Sequence, residues 1–255
     1  MFHKARELMK NRSLTAYCSK CRTSETCIIA MAVEVPLIDG PPDTTAQRET
    51  TKTYRQGEYI PGQEHAGQYM PVVCQGLAAV TLLTEEGEEI LIHAHGPGSI
   101  IDLPRWIGKQ RAGSHSARAV TDVTLRFVAV GEFTALLKQS DTARTVFLEY
   151  IGAQLQIDQR TLILLRSKNT YGRIQLAIHE LIQLLKLKRE GPVVLPYKIP
   201  RWFLSSYTGL RPETVSRMLS RLRNEGLIVH QNHRLVIPNY SNLARSVERC
   251  LNGLS

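Results

Sequence analysis

A chain of 255 residues with 43% apolar content is long enough for one large domain or two ordinary ones, and it can build a sizeable core. No apolar run approaches the roughly 18–20 residues that span a bilayer, and the N-terminal MFHKARELMKNRSLTAYC lacks the apolar stretch of a secretory signal, so a cytoplasmic protein is expected. The net charge of +9 is unevenly spread: residues 1–165 hold 17 Lys and Arg against 18 Asp and Glu, whereas residues 166–255 hold 15 against 5, a net +10. A basic last third beside a neutral remainder suits a nucleic-acid-binding domain joined to something else, because Lys and Arg replace condensed counterions on phosphate.

In chain order the first feature is YCSKCRTSETC, which places Cys18, Cys21 and Cys27 at C-x2-C-x5-C, three of the chain's five cysteines. An odd total with no export signal argues against a disulfide framework and for reduced thiolates. A short loop bearing three thiols can wrap one soft metal site at little closure cost, and Lys20 and Arg22 favour the thiolate form. The residues alone leave three uses open: an iron–sulfur cluster, a Cys3His zinc site, or a thiol switch that closes a disulfide on oxidation. The following EVPLIDGPPDTTAQRETTKTYRQ carries three prolines and little periodicity and reads as a connector.

From Gly57 to Val130 short strands are punctuated by turns. LLTEEGEEILIH signals a hairpin, and glycines at 57, 62, 67, 76, 87 and 98 suit a small antiparallel barrel or jelly roll whose corners need positive φ. From about Thr142 to Ser167 the period becomes helical, with Val146, Tyr150, Ala153, Ile157, Leu162 and Leu165 on a narrow seam that suits pairing with a second copy of the helix. Another helix is expected over about Arg173–Lys188, and REGPVVLPYKIP reads as a turn, a short strand and a helix start.

PRWFLSSYTGLRPETVSRMLSRLRNEGLIVHQNHRLVI has the pattern of a winged helix-turn-helix. Leu204, Thr208, Leu210, Val215 and Met218 fall where two helices face each other, Gly209 where the chain reverses, and Pro212 where a missing N–H costs nothing. Glu213, Ser216 and Arg217, at i, i+3 and i+4, share one face of the second helix. Arg there can bond guanine in bidentate fashion and Glu can accept from cytosine. Arg221 and Arg223 are expected near phosphates.

A barrel, a long helix and a winged helix-turn-helix, in that order, resemble the Crp/Fnr transcription regulators over nearly the whole chain. The fold this implies is α+β: a cysteine-bearing segment (1–30), a β-roll of the cyclic-nucleotide-binding kind (31–140), a dimerisation helix (141–168) and a DNA-binding domain (169–255). GLRPETVSRMLSRLRNEGLI is similar to the family's recognition helix, and its Glu213, Ser216 and Arg217 match the E-x-x-S-R form of the Fnr branch. That likeness implies a homodimer on palindromes with TTGAT-like half-sites and RNA polymerase as a protein partner.

Cyclic-nucleotide members carry a glutamate and an Arg-Ser pair where this chain has Ser99 and Gly113-Ser114. A cyclic phosphate would be buried against no cation, which argues against that effector. The oxygen-sensing Fnr proteins bind a [4Fe–4S] cluster through three cysteines spaced like Cys18, Cys21 and Cys27, so the resemblance implies that cofactor here. Their fourth ligand is a cysteine on a late barrel strand, and the matching Asp122–Val130 has none; Cys74 is the candidate from this barrel. Asp122, His93, His95 and His115 are non-thiol alternatives, and Cys250 reads as structural. The Fnr branch also carries an aspartate on its dimerisation helix, like Asp158 beside Ile157, where two copies facing across an axis would repel and keep pairing poised. Within the same class, a zinc or thiol switch or a small ligand in the β-roll could replace the cluster. An enzyme or a metal-storage protein is disfavoured, since no acid–base or nucleophile constellation accompanies the cysteines.

Overall fold

The computed structural model describes Cys27 and residues 51–61, 69–87, 89–107, 115–232 and 234–252. The chain divides into two compact units between Gln154 and Leu155, and strands dominate the first while helices dominate the second, an α+β architecture. No helix among the described residues is long and apolar enough to cross a membrane.

The first unit contains β1 (Thr51–Tyr54), β2 (Tyr59–Ile60), β3 (Tyr69–Gln75), β4 (Ala78–Leu83), β5 (Glu89–His95), the short helix α1 (Leu103–Ile107), β6 (His115–Ala119) and β7 (Val123–Ala129). The strands pair antiparallel in the orders β1-β7-β3 and β2-β6-β4-β5. Strand alternation sorts the side chains into two layers. Val123, Leu125 and Phe127 of β7 meet Tyr54, Val73 and Val80 in one core. Val128 faces the other way with Met70 and Val72 of β3, and this face is covered by α2 (Val130–Gln139) and the first half of α3 (Asp141–Arg166) through Phe133, Leu136 and Ala143.

The hairpin expected from LLTEEGEEILIH is formed by β4 and β5, and Gly57, Gly76, Gly87 and Gly98 all have positive φ. At Gly76 no side chain fits, because a Cβ would collide with the Asp122 carbonyl oxygen. Gly62 and Gly67 lie outside the described residues.

Three expectations are corrected. Thr51–Tyr54, within the stretch read as a connector, is a strand: it pairs with β7 from Thr51↔Arg126 to Tyr54↔Val123. Its only large apolar residue is Tyr54, so the backbone ladder and not a hydrophobic pattern makes it a strand. The change to helix comes at Val130, not near Thr142, because Phe133 and Leu136 bury one face of α2. Ser140 alone separates the helices, its hydroxyl accepting from the Ala143 N–H at 3.2 Å, an N-cap for α3. The seam on α3 is also redrawn. Val146 and Tyr150 pack on the first unit's own core, whereas Leu148, Leu155 and Leu162, spaced by seven, are exposed together with Leu165.

The second unit takes the last turns of α3 from Leu155, then α4 (Thr170–Leu184), β8 (Val193–Val194), α5 (Arg201–Thr208), α6 (Pro212–Asn224), β9 (Val229–Gln231), β10 (Arg234–Ile237) and α7 (Tyr240–Asn252). Its small sheet has the order β8-β10-β9. Ile174, Ile178, Phe203, Leu222 and Ile237 form the buried interior. Helix α7, not anticipated from the sequence, buries Leu243 and Val247 one turn apart.

Candidate functional site

The helix-turn-helix is α5, a turn and α6. Gly209 ends α5 in the left-handed region at φ +62, its N–H donating to the Ser205 carbonyl, and Pro212 opens α6. Val215, Met218 and Leu222 bury one face of α6 at spacings of three and four. The opposite face therefore points outward with Glu213 and Arg217, both exposed one turn apart. That face can read base edges, since a guanidinium and a carboxylate there supply directed donors and acceptors.

Ser216 sits at the edge of this face. Its hydroxyl donates to the Pro212 carbonyl at 2.9 Å and accepts from Nη1 of Arg201 at the start of α5. Arg201 was not singled out from the sequence, because only the fold brings the start of α5 beside α6. Arg221 is exposed, and its partners belong to this chain: its Nε donates to Glu225 Oε1 at 2.8 Å and its guanidinium lies 4.2 Å from the centre of the Tyr171 ring. The Tyr171 hydroxyl donates to the other Glu225 oxygen. Burial and this carboxylate push the Tyr171 pKa up, while the Glu225 carboxyl is held low by Tyr171 and Arg221. The Arg221–Glu225 pair is legible as an i, i+4 spacing; the Tyr171 contribution is not. Arg223 is exposed and reaches Ser220 Oγ at 3.4 Å.

Of the cysteine trio, Cys18 and Cys21 lie outside the described residues. Cys27 is half-buried and packs on the helix-covered face of the first unit with Met70, Trp106, Val128 and Tyr150. On this face the Tyr150 hydroxyl oxygen accepts from the Ile100 N–H at 2.9 Å. Its pKa is pushed up to about 12, chiefly by burial, with the charge of Cys27 adding to the rise. Arg126, 2% exposed, stands opposite Val72 in the β3–β7 ladder and so lies on this same face. Within Asp122–Val130, where the resemblance directs attention to a fourth thiol, the strand thus places a buried guanidinium. A lone Arg in a strand gives no sign of burial in the sequence.

Cys74 is half-buried at the bulge between Val73 and Gln75. Among the described residues no three His, Cys, Asp or Glu side chains come together as a metal site. Asp122 Oδ1 accepts from the Gln56 N–H at 2.8 Å, His115 Nδ1 lies 3.6 Å from Asp102 Oδ1, and His95 is buried beside His93. Burial first, and then His93, lowers the His95 pKa to about 3. On α3, Ile157 and Asp158 are half-buried, and the charge of Asp158 contributes to raising the pKa of the buried Tyr207.

The β-roll holds a cavity of about 250 Å³ lined by Tyr59, Ile101, Asp102, Arg105, Trp106 and His115 among others. Arg105 donates through Nε to Asp102 Oδ2 at 2.8 Å and through Nη2 to the His115 carbonyl at 3.2 Å, so its charge is already balanced. Ser99 gives its carbonyl to the Val73 N–H at 2.9 Å, and Gly113-Ser114 lie outside the described residues.

Comparison with known proteins adds two family matches: a cyclic nucleotide-binding domain over residues 51–140 and a Crp-like helix-turn-helix domain over residues 178–246. The chain is 23% identical to the transcriptional activator protein FnrL of Cereibacter sphaeroides, over 76% of this chain and 78% of that one. It is 22% identical to the fumarate and nitrate reduction regulatory protein of Escherichia coli K12, over 90% and 89%. Among solved structures, FixK2 from Bradyrhizobium japonicum superposes with a TM-score of 0.63 at 24% identity, covering 77% of this chain and 96% of that one. A CRP-family transcriptional regulator from Thermus thermophilus gives 0.61 at 19%, covering 77% and 96%.

Proposed function

As a member of the Crp/Fnr family of DNA-binding transcription regulators, and not an enzyme, this chain is, we propose, a homodimeric sensor whose N-terminal cysteines hold an oxygen- or redox-sensitive [4Fe–4S] cluster. The observation that carries the DNA reading is the outward face of α6, with Glu213 and Arg217 exposed against a buried Val215, Met218 and Leu222, on a segment of net +10. Two such helices related by a two-fold axis would read TTGAT-like half-sites through Glu213, Ser216 and Arg217. Arg201 adds a cation at the edge of the same face. The exposed Leu148, Leu155 and Leu162 stripe supports helix pairing; Asp158, three residues on from Leu155, borders it, whereas Ile157, two residues on, lies on the other side of the helix. RNA polymerase is the protein partner that activation would require.

The donor set fits the proposed cofactor. Three thiols in ten residues suit soft, multi-iron coordination, and Cys27 is seated on an apolar face that also carries the buried cation Arg126. The Arg126 guanidinium would offset part of the cost that apolar surroundings impose on a group made anionic by its thiolates. Cys18, Cys21 and Cys27 would hold the cluster, with Cys74 as fourth ligand. Bound there, it would supply one-electron redox chemistry and sensitivity to oxygen. The protein's own part is to couple the Cys27 segment to the face against which the first half of α3 packs, so that loss of the cluster weakens helix pairing.

Metal analysis of anaerobically purified protein tests this. Iron and acid-labile sulfide should be present in equal amounts, and Cys27→Ser should lose both; Cys74→Ser should lose them if Cys74 is the fourth ligand. A colourless protein with stoichiometric zinc would sink the cluster and leave the zinc or thiol switch.

A further inference from the structure

Helix α6 has a third face, between the buried one and the one that carries Glu213 and Arg217. Ser216, Leu219, Ser220 and Arg223 fall at i, i+3, i+4 and i+7 and form a stripe along it. The stripe borders a cavity of about 300 Å³ within the second unit, at the lower end of the roughly 300–1,000 Å³ of small-molecule sites. Its floor is apolar: Ile178 and Leu181 of α4, Leu195 just after β8, Leu204 of α5 and Leu235 of β10 line it with Leu219.

The rim is basic. Lys198, Arg201, Arg223 and His230 stand around the opening, all four exposed, and no Asp or Glu is among the lining residues. Other arginines of the chain are met by carboxylates: Arg105 by Asp102, Arg118 by Glu89 and Arg221 by Glu225. Here Arg201 gives Nη1 to the Ser216 hydroxyl and Arg223 gives Nη2 to Ser220 Oγ at 3.4 Å, both neutral oxygens of the α6 stripe. Among the described residues no carboxylate pairs with Lys198, Arg201 or Arg223.

These two features call for one kind of ligand. An apolar pit favours a hydrocarbon body, because its leucines gain by losing water. Cations held only by hydroxyls favour an anion, and a carboxylate can take paired N–H donors from a guanidinium. A DNA backbone satisfies only the second demand: its phosphates can meet the rim, but a charged, hydrated strand leaves the leucines uncovered.

We propose that this cavity binds a small apolar carboxylate of the medium-chain fatty acid kind, its head held by Lys198, Arg201 and Arg223 and its tail lying on the leucine floor. Arg201 and Ser216 border both the cavity and the base-reading face, so a bound carboxylate and an operator exclude each other. That competition rests on the DNA reading above; the site itself does not.

The test titrates octanoate into the full chain by calorimetry, beside acetate, inorganic phosphate and octan-1-ol, in the wild type and in Lys198→Glu and Leu219→Ser. Octanoate should bind once per chain and about tenfold or more tighter than each of the other three, because only it joins a tail to a charged head. Each substitution should weaken octanoate about tenfold. Lys198 is exposed, so its variant decides the matter even where Leu219→Ser loses stability. Octan-1-ol binding as tightly as octanoate would overturn the site by reducing it to an apolar surface, and phosphate binding as tightly would reduce the rim to a seat for the DNA backbone. Octanoate affinity unchanged in Lys198→Glu would also overturn it, by moving the ligand elsewhere. Competition is read separately with a labelled TTGAT-like palindrome, which octanoate should displace in proportion to its occupancy. A palindrome retained at saturating octanoate would overturn the competition, whereas a wild-type chain that binds octanoate and no DNA would overturn the DNA reading and leave the site standing.

Discussion

Arg217 stands on the exposed face of α6 one turn from Glu213, and nothing in the core depends on it. Arg217→Ala should therefore lower discrimination between the palindrome and random DNA by about 1–3 kcal/mol per half-site, while weak, salt-sensitive binding survives. Competition gel shifts would show equal loss on all sequences if Arg217 met phosphate instead. His95 makes a different prediction. Both ring nitrogens are buried without a hydrogen-bond partner among the described residues, and burial beside His93 lowers its pKa from 6.5 to about 3. Below about pH 6.5 the unfolded chain takes up a proton that the folded chain refuses. Stability is thus fully present above that pH and falls as pH drops toward 3, by up to about 1.4 kcal/mol per pH unit from this group. Urea unfolding of His95→Leu across that range should show a flatter pH dependence, and an unchanged slope would contradict the assignment.

At the scale of elements, the exposed leucines of α3 predict pairing. Leu155→Glu places a charge in the middle of the stripe and should weaken dimerisation by roughly 3 kcal/mol, since a leucine is lost from each partner. Sedimentation equilibrium reads this. A dimer as tight as the wild type would move the interface elsewhere. The elements that were legible in the sequence are those whose signals are local. Gly209 and Pro212 mark the ends of α5 and α6, the Val215, Met218 and Leu222 spacing marks the buried face, and the acidic turn around Gly87 marks the β4–β5 hairpin. Strand β1 was not legible, because pairing with a strand some seventy residues away makes it, with Tyr54 as its one large apolar side chain. The seam on α3 differs in part from the expected one for a related reason. Apolar periodicity marks every face that can be buried, and only the fold shows that Val146 and Tyr150 serve the β-roll while the leucines do not. The site divides in the same way: the α6 face follows from spacing, whereas Arg201 beside Ser216, Tyr171 under Arg221 and the buried Arg126 depend on contacts between distant segments.

For the whole molecule, the charge asymmetry assigns tasks to its parts. The neutral first unit offers an apolar, helix-covered sheet face on which Cys27 packs, and the basic last third carries the recognition helix. Helix α3 covers that face with its first half and enters the DNA-binding unit with its second. On the proposed reading, a change at the cysteines would need to alter pairing by only a few kcal/mol to decide whether two recognition helices act together, since a poised equilibrium would amplify small differences. The most direct test is an absorption spectrum of anaerobically purified protein bound to a labelled TTGAT-like palindrome, followed through exposure to air. A brown protein is expected, whose broad visible absorption bleaches in air while the DNA is released over the same time course. A colourless protein, or bleaching that leaves DNA binding unchanged, would contradict the proposed function.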